Sequence, residues 1–334
     1  MHLYLNDKIW LGEIGLKKFL ILYFTILLTV IFTGCASEPV TLQKNQKEVK
    51  EIRVGTVPLP FYSHMWVAYK KGFIDEELQK VNYKLNWQTI SLGPVVSESF
   101  AADKIDMGVM GDFPAFVGRS AGIDYRMVAI ASTISKSQAL LTKKDSGINM
   151  VSNLKGKKVA TTKNTSGHEL LISLIERNGM SINDVEFVNM SMGDLGTALI
   201  NGDVDAGVMW EPAVTRLEES GEVKVVVDGT VCPNYAVLLA KESMINDHPE
   251  AVKAVLKAYQ RGNEYMQKNP EECLKLLAVE MKIPEEQLRK MMDKYIYYPP
   301  IDDKFIMDMR STEQFLLKNS IIKNPVDINL FIFK

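Results

Sequence analysis

Two acids stand where a short apolar run ends and a proline follows. Asp106-Met-Gly-Val-Met-Gly-Asp112 leads into Phe113-Pro114, and Asp205-Ala-Gly-Val-Met-Trp-Glu211 leads into Pro212. A carboxylate so placed has two uses. It binds an ammonium or amino group of a ligand, or it caps a helix starting at the proline, a residue favoured in a first helical turn. Trp210 adds a ring face that can pack on an apolar group or a cation, and Gly111 leaves space at the same point of the other copy. Asp106 and Asp205 precede the apolar runs and read as turn residues.

Two further segments carry groups suited to an anion. Lys163-Asn-Thr-Ser-Gly-His168 is small, hydroxyl-bearing and opens a helical stretch. Asn164, Thr165, Ser166, Gly167 and His168 can hydrogen-bond an oxyanion without formal positive charge, while Thr165 or Ser166 can instead cap the helix. Ser91-Leu-Gly-Pro94 puts Gly93 just ahead of another helix. The unsatisfied N–H groups and dipole of a helix start attract anions; a plain turn is the simpler alternative there. An anion-friendly helix start beside two acids suits a zwitterion, and exposed acids would repel a bare anion such as nitrate.

The elements that must position these groups follow from hydrophobic periodicity. Strands are predicted at 52–57, 83–90, 105–110, 126–132 and 139–142, with helices at 66–72 and 95–102 between them. A second round opens with a loop and strand over 154–160, then has strands at 185–190, at the second copy of the phrase (205–211) and at 223–227, and helices at 169–178 and 194–201. Strands alternating with helices argue an α/β fold with mostly parallel sheets. Strand ends at the carboxyl edge are where such sheets place ligands. The repeated phrase therefore predicts two similar lobes around one cleft, 51–141 with a return over 236–334, and 142–235. The strands at 139–142 and 235–240 are read as the two crossings, allowing hinge closure around a ligand.

The chain has 334 residues, 46% hydrophobic and 24% charged, which suits about two globular domains. Its net charge of −2 leaves no basic footprint for nucleic acid. Lys17-Lys18, an apolar run from Phe19 to Phe32, and Thr33-Gly34-Cys35 form a secretory signal. The run is shorter than the roughly 20 residues of a spanning helix; an uncleaved membrane anchor is the alternative. The end of this segment resembles a bacterial lipobox, which implies a signal peptide over 1–34, lipidation of Cys35 and a flexible tether over 35–50. Cys232 and Cys273 either pair or stay free. No Cys/His spacing of the zinc type occurs, and no metal is expected.

The phrases Val67-Ala-Tyr-Lys-Lys-Gly-Phe73, Asp106 to Asp112, Leu154-Lys-Gly-Lys-Lys-Val159 and Trp210-Glu-Pro-Ala-Val214 carry a family resemblance. Over about 50–320 the chain resembles the type II, periplasmic-binding-protein-like solute receptors of ABC importers. Within them it is similar to the receptors for aliphatic sulfonates, taurine, nitrate and thiamin precursors. The resemblance implies ligand contacts in the loop Pro60–His64, hence Ser63 and His64. It also implies that the 163–168 loop grips the anionic head and that the Trp-Glu-Pro segment borders the pocket. A monomeric, lipid-anchored, extracytoplasmic receptor without cofactor follows, with a small solute and a permease with its ATPase as partners. A sulfonate or taurine-like solute ranks first and a thiamin-precursor pyrimidine second. The fungal thiamin-pyrimidine synthase resembles the same fold, and His64 sits in a loop comparable to its own; a sensor ectodomain is a third possibility. No nucleophile elbow, phosphate loop or dinucleotide fingerprint favours an enzyme.

Overall fold

Two five-stranded sheets with the same plan organise the chain. The computed structural model describes residues 48–333. The signal segment, Cys35 and most of the expected tether lie outside them. The first sheet holds β1 (Lys50–Thr56), β2 (Tyr83–Thr89), β3 (Met107–Gly111), β4 (Tyr125–Thr133) and the late strand β10 (Tyr235–Lys241), in the order β2-β1-β3-β10-β4. The second holds β5 (Gln138–Lys143), β6 (Lys158–Thr161), β7 (Glu186–Asn189), β8 (Ala206–Trp210) and β9 (Val223–Asp228), in the order β7-β6-β8-β5-β9. β1 begins at Lys50, inside the expected tether, because Lys50 already pairs with Tyr83 of β2.

In each sheet one strand runs against its neighbours. β10 is antiparallel to β3 and β4, and β5 is antiparallel to β8 and β9, while β1, β2 and β3, like β6, β7 and β8, pair in parallel. The reason is the crossing. β5 and β10 are the strands by which the chain enters a lobe from the other one, so they start at the edge where the parallel strands end and must run the other way. The strands at 139–142 and 235–240 are thus full members of the two sheets and not the crossings themselves. The chain passes between lobes just before them, through short 3-10 turns at Ser135–Ser137 and Gly229–Val231. The boundary expected at 141/142 falls inside β5. The two crossings touch: a Cβ on Gly229 would lie 2.3 Å from the Ser135 carbonyl, and Ile134 N–H donates to the Asn234 carbonyl at 2.9 Å.

Helices cover both sheets. The first lobe carries α1 (Ser63–Lys70), α2 (Phe73–Gln79), α3 (Gly93–Ala101) and α4 (Asp112–Ser120); the second carries α5 (Ser166–Arg177), α6 (Met192–Asn201) and α7 (Ala213–Ser220). α6 stops at Gly202, whose φ of 85° suits glycine and lets its N–H reach the Ala198 carbonyl. The returning chain adds α8 (Glu242–Asp247), α9 (Pro249–Lys268), α10 (Pro270–Met281), α11 (Glu285–Met292), α12 (Asp303–Lys318) and α13 (Ile328–Phe331). Prolines open α9 and α10, where their missing N–H costs nothing. α9 lies so close to α1 that a Cβ on Gly262 would meet the His64 carbonyl at 2.3 Å.

One large core fills the first lobe and takes in the returning helices, and two smaller ones cover the faces of the second sheet. The apolar C-terminus docks, with Phe331 buried and the Phe333 N–H donating to the Met127 carbonyl at 2.8 Å. Cys232 and Cys273 are both free and buried. No helix among the described residues is long and apolar enough to cross a membrane.

Candidate functional site

The parallel strands of both lobes deliver their last residues to one cleft. Val57 follows β1, Leu92 and Gly93 follow β2, Gly111 ends β3, and Trp210 ends β8; Thr165 and Ser166 stand after β6. Phe61 and Tyr62 form an aromatic wall from the first lobe, and Ser137 and Gln138 close the cleft at the first crossing. The enclosed space is about 60 Å³, room for a few water-sized groups at roughly 10–15 Å³ each. None of its lining side chains is charged.

Polarity in the cleft comes instead from helix starts. α3, α4 and α5 begin at Gly93, Asp112 and Ser166, and none has a side-chain hydrogen bond at its N-cap. Thr165, the cap residue of α5, turns its Oγ1 to the Thr162 carbonyl at 2.7 Å instead. The first N–H groups of a helix have no intrahelical acceptor, so the starts of α3 and α5 turn amide dipoles to the cleft, while at α4 the Phe113 N–H already donates to Asp112 Oδ1. The lobes come close here: a Cβ on Gly111 would lie 3.9 Å from Ser166 Oγ. Gly167 is needed for a different reason, since a Cβ there would lie 2.9 Å from Thr161 Oγ1 and 3.3 Å from the Trp210 ring. It lets the start of α5 sit against Trp210.

Of the residues expected at the site, Gly93, Gly111, Thr165, Ser166 and Trp210 line this cleft. The others do not, and each has a visible reason. Ser63 Oγ donates to the Pro60 carbonyl at 2.6 Å, which fixes the turn into α1. His64 is fully buried between α1 and the Tyr259, Tyr297 and Tyr298 rings, with neither ring nitrogen partnered, and burial pushes its pKa down to about 3. Asn164 is exposed in a left-handed turn at φ 60°. His168 packs on Phe187, its pKa lowered to about 4 by burial and by Lys163.

The two acids are also closed away. Asp112 is buried, accepting from Phe113 N–H at 2.8 Å and from Tyr235 N–H at 3.1 Å, so it ties the start of α4 to the return of the chain. Burial pushes its carboxyl up to about 7. Glu211 is buried too; it accepts from Thr215 N–H at 3.0 Å and from Thr215 Oγ1 at 2.8 Å, and pairs with Lys294. Glu211 stands one residue ahead of the cap position Pro212; it satisfies the Thr215 N–H in the first turn of α7 and joins the second lobe to the returning chain of the first. Asp112 stands at the first position of α4 rather than at its cap. Sequence reasoning missed Gln138, Phe61 and Tyr62. The last two lay in a segment already singled out, where the serine and histidine drew attention away from the rings. Nothing in the sequence marks Gln138, an amide at the edge of an apolar strand.

Among the described residues no group of three or more His, Cys, Asp or Glu is arranged to hold a metal. Comparison with known proteins gives a consistent picture. An aliphatic sulfonates-binding protein of Bacillus subtilis is 28% identical over 322 residues, covering 92% of this chain and 95% of that one. The taurine-binding periplasmic protein of Escherichia coli is 28% identical over 57% of this chain and 60% of its own length. A thiamine biosynthesis protein of Haemophilus influenzae is 26% identical over 77% of this chain and 78% of its own. The crystal structure of the periplasmic aliphatic sulphonate binding protein of E. coli superposes with a TM-score of 0.77 at 24% identity, covering 85% of this chain and 97% of that one. The alkanesulfonate-binding protein of Xanthomonas axonopodis pv. citri, bound to MOPS, gives 0.76 at 20%, over 89% and 99%. The desulfurization enzyme DszB shares the fold at a TM-score of 0.65, 17% identity and coverage of 85% and 96%. These likenesses establish the two-lobed, periplasmic-binding-protein-like fold. Residues 60–273, more than half of the sequence, match a single family description, and the chain belongs to the NMT1/THI5-like family.

Proposed function

We propose that this chain is the extracytoplasmic solute-binding component of an ABC importer, and that its solute is a small sulfonate or taurine-like anion. The observation that carries the reading is the cleft: two helix starts without side-chain caps, those of α3 and α5, meet at a space lined by no charged side chain. Amide dipoles suit a diffuse, strongly acidic anion that never needs a proton removed. Phe61, Tyr62 and Trp210 provide apolar walls for the carbon portion of such a solute. Relatives named for sulfonate and taurine binding support the same class. Closure of the lobes on the solute, delivery to a permease, anchoring through Cys35 and a monomeric state complete the proposal.

Isothermal titration against ethanesulfonate, taurine, isethionate and nitrate tests the reading. A sulfonate should bind with a 1:1 stoichiometry; heat from none of them, with a folded protein, would overturn it. A second solute class, an aminopyrimidine of thiamin synthesis, rests on the aromatic walls and on the thiamine biosynthesis relative, and belongs in the same titration. An enzyme of the pyridoxal-dependent kind finds no support in the cleft, whose lining includes neither a lysine nor His64.

A further inference from the structure

Gln138 opens β5 at the back of the cleft, and its side-chain amide is held at one end only. Nε2 donates to Asn234 Oδ1 at 3.1 Å. Oε1 is buried and has no hydrogen-bond partner, in a residue that lines the cleft and is 1% exposed. The direction of the amide is set from behind. Glu169 Oε2 accepts from Asn234 Nδ2 at 2.8 Å. That bond turns Asn234 Oδ1 towards Gln138, and only Nε2 can donate to it. Asn234 itself is fixed by the first crossing, since its N–H donates to Ser135 Oγ at 2.9 Å and its carbonyl accepts from Ile134 N–H at 2.9 Å. The Glu169 carboxyl and two amides in series therefore leave one acceptor, Gln138 Oε1, without a partner in a residue that lines the cleft.

Buried acceptors without a donor are rare because leaving one unmade is costly. We propose that Gln138 is a specificity-determining residue whose Oε1 accepts from an N–H or O–H group of the solute, so that the preferred solute is an anion also bearing an amino or hydroxyl group. This rests on the reading of the cleft as an anion site. It replaces the role that Asp112 and Glu211 held in the sequence reading, since both are sealed off with partners of their own. The replacement changes the chemistry. A neutral acceptor asks for a donor, not for a positive charge, so a hydroxyl serves as well as an ammonium. A sulfonate with a methyl group in that place would leave Oε1 desolvated and unpaired, and sites built for a hydrogen bond discriminate strongly against analogues that lack it.

Three sulfonates of nearly equal size separate the terms: taurine, isethionate and propane-1-sulfonate, titrated into the wild type and into Gln138→Leu. The wild type should bind both taurine and isethionate about 10–100-fold more tightly than propane-1-sulfonate. Gln138→Leu should erase most of that preference while keeping propane-1-sulfonate. Equal affinities for all three in the wild type would overturn the inference and leave the anion site standing; so would a preference that survives in Gln138→Leu. A preference for taurine alone would point to Trp210 and a cation, and would also overturn it. If the wild type binds none of the three, the sulfonate reading falls, and this inference with it. The comparison within the wild type does not depend on the variant folding.

Discussion

Individual residues of the cleft divide into those that must stay small and those that hold the frame. Gly111 has an ordinary φ of −66°, and a Cβ there would touch Pro114 at 3.5 Å and approach Ser166 Oγ at 3.9 Å. Its smallness therefore serves the space between the lobes, not the backbone. Gly111→Leu should abolish solute binding by calorimetry while shifting the thermal midpoint by no more than a few degrees. A variant that unfolds would show that the glycine is structural after all. Glu211 should behave in the opposite way. With Thr215 and Lys294 as its partners, Glu211→Ala removes hydrogen bonds to a charged group, worth about 1.5–3 kcal/mol. Urea denaturation should register that loss. Loss of affinity in Glu211→Ala without loss of stability would return Glu211 to the ligand.

At the scale of elements, most of the fold was legible because strand and helix periods differ, and because glycine and proline mark helix ends. The repeated apolar-acid-proline phrase located the ends of β3 and β8, and with them Gly111 and Trp210. The reversed strands were not legible. β5 and β10 are apolar and buried on both faces, so no alternation tells which way they run; only the crossing geometry does. For the same reason Gln138, at the start of β5, had no visible role. His64 illustrates the other limit. Its neighbours Ser63 and Pro60 looked like a ligand loop, yet α1 turns the ring inwards towards Tyr259 on α9. Its burial has a measurable sign. The unfolded histidine titrates near 6.5 and the folded one at about 3. Between those values only the unfolded chain takes up the proton, so stability falls as pH drops through 6.5. His64→Phe keeps a ring of similar shape and removes two unpartnered nitrogens. It should be at least as stable as the wild type at pH 7. Its advantage should grow by up to about 1.4 kcal/mol per pH unit on acidification to pH 4. Parallel stability curves for the two proteins over that range would mean that the ring nitrogens reach solvent.

For the whole molecule the question is what holds the lobes together when the cleft itself carries no charge. Besides the Glu211–Lys294 pair, contacts between the lobes lie away from it. α7 of the second lobe meets α11 of the returning chain through Glu219, which pairs with Lys290 at 3.0 Å and accepts from Gln287 Nε2 at 2.7 Å. α5 meets α12 through Glu176 and Lys318 at 2.9 Å. These pairs span the two lobes and would part if the hinge opened. Each is largely exposed and weak, too little to close the protein alone but enough to bias a balance that the solute tips. The double variant Glu176→Gln/Glu219→Gln should therefore bind solute a few-fold more weakly. The two sites are on different helices and should contribute nearly independently. The weakening should appear in the dissociation rate, because a looser closed state opens sooner. Salt separates this from any effect on the solute's own charge. At 1 M ionic strength, where the screening length is about 3 Å, wild type and variant should converge, because the wild type loses the same pairs. A difference that persists at high salt would mean that the glutamates act on the solute or on folding and not on closure.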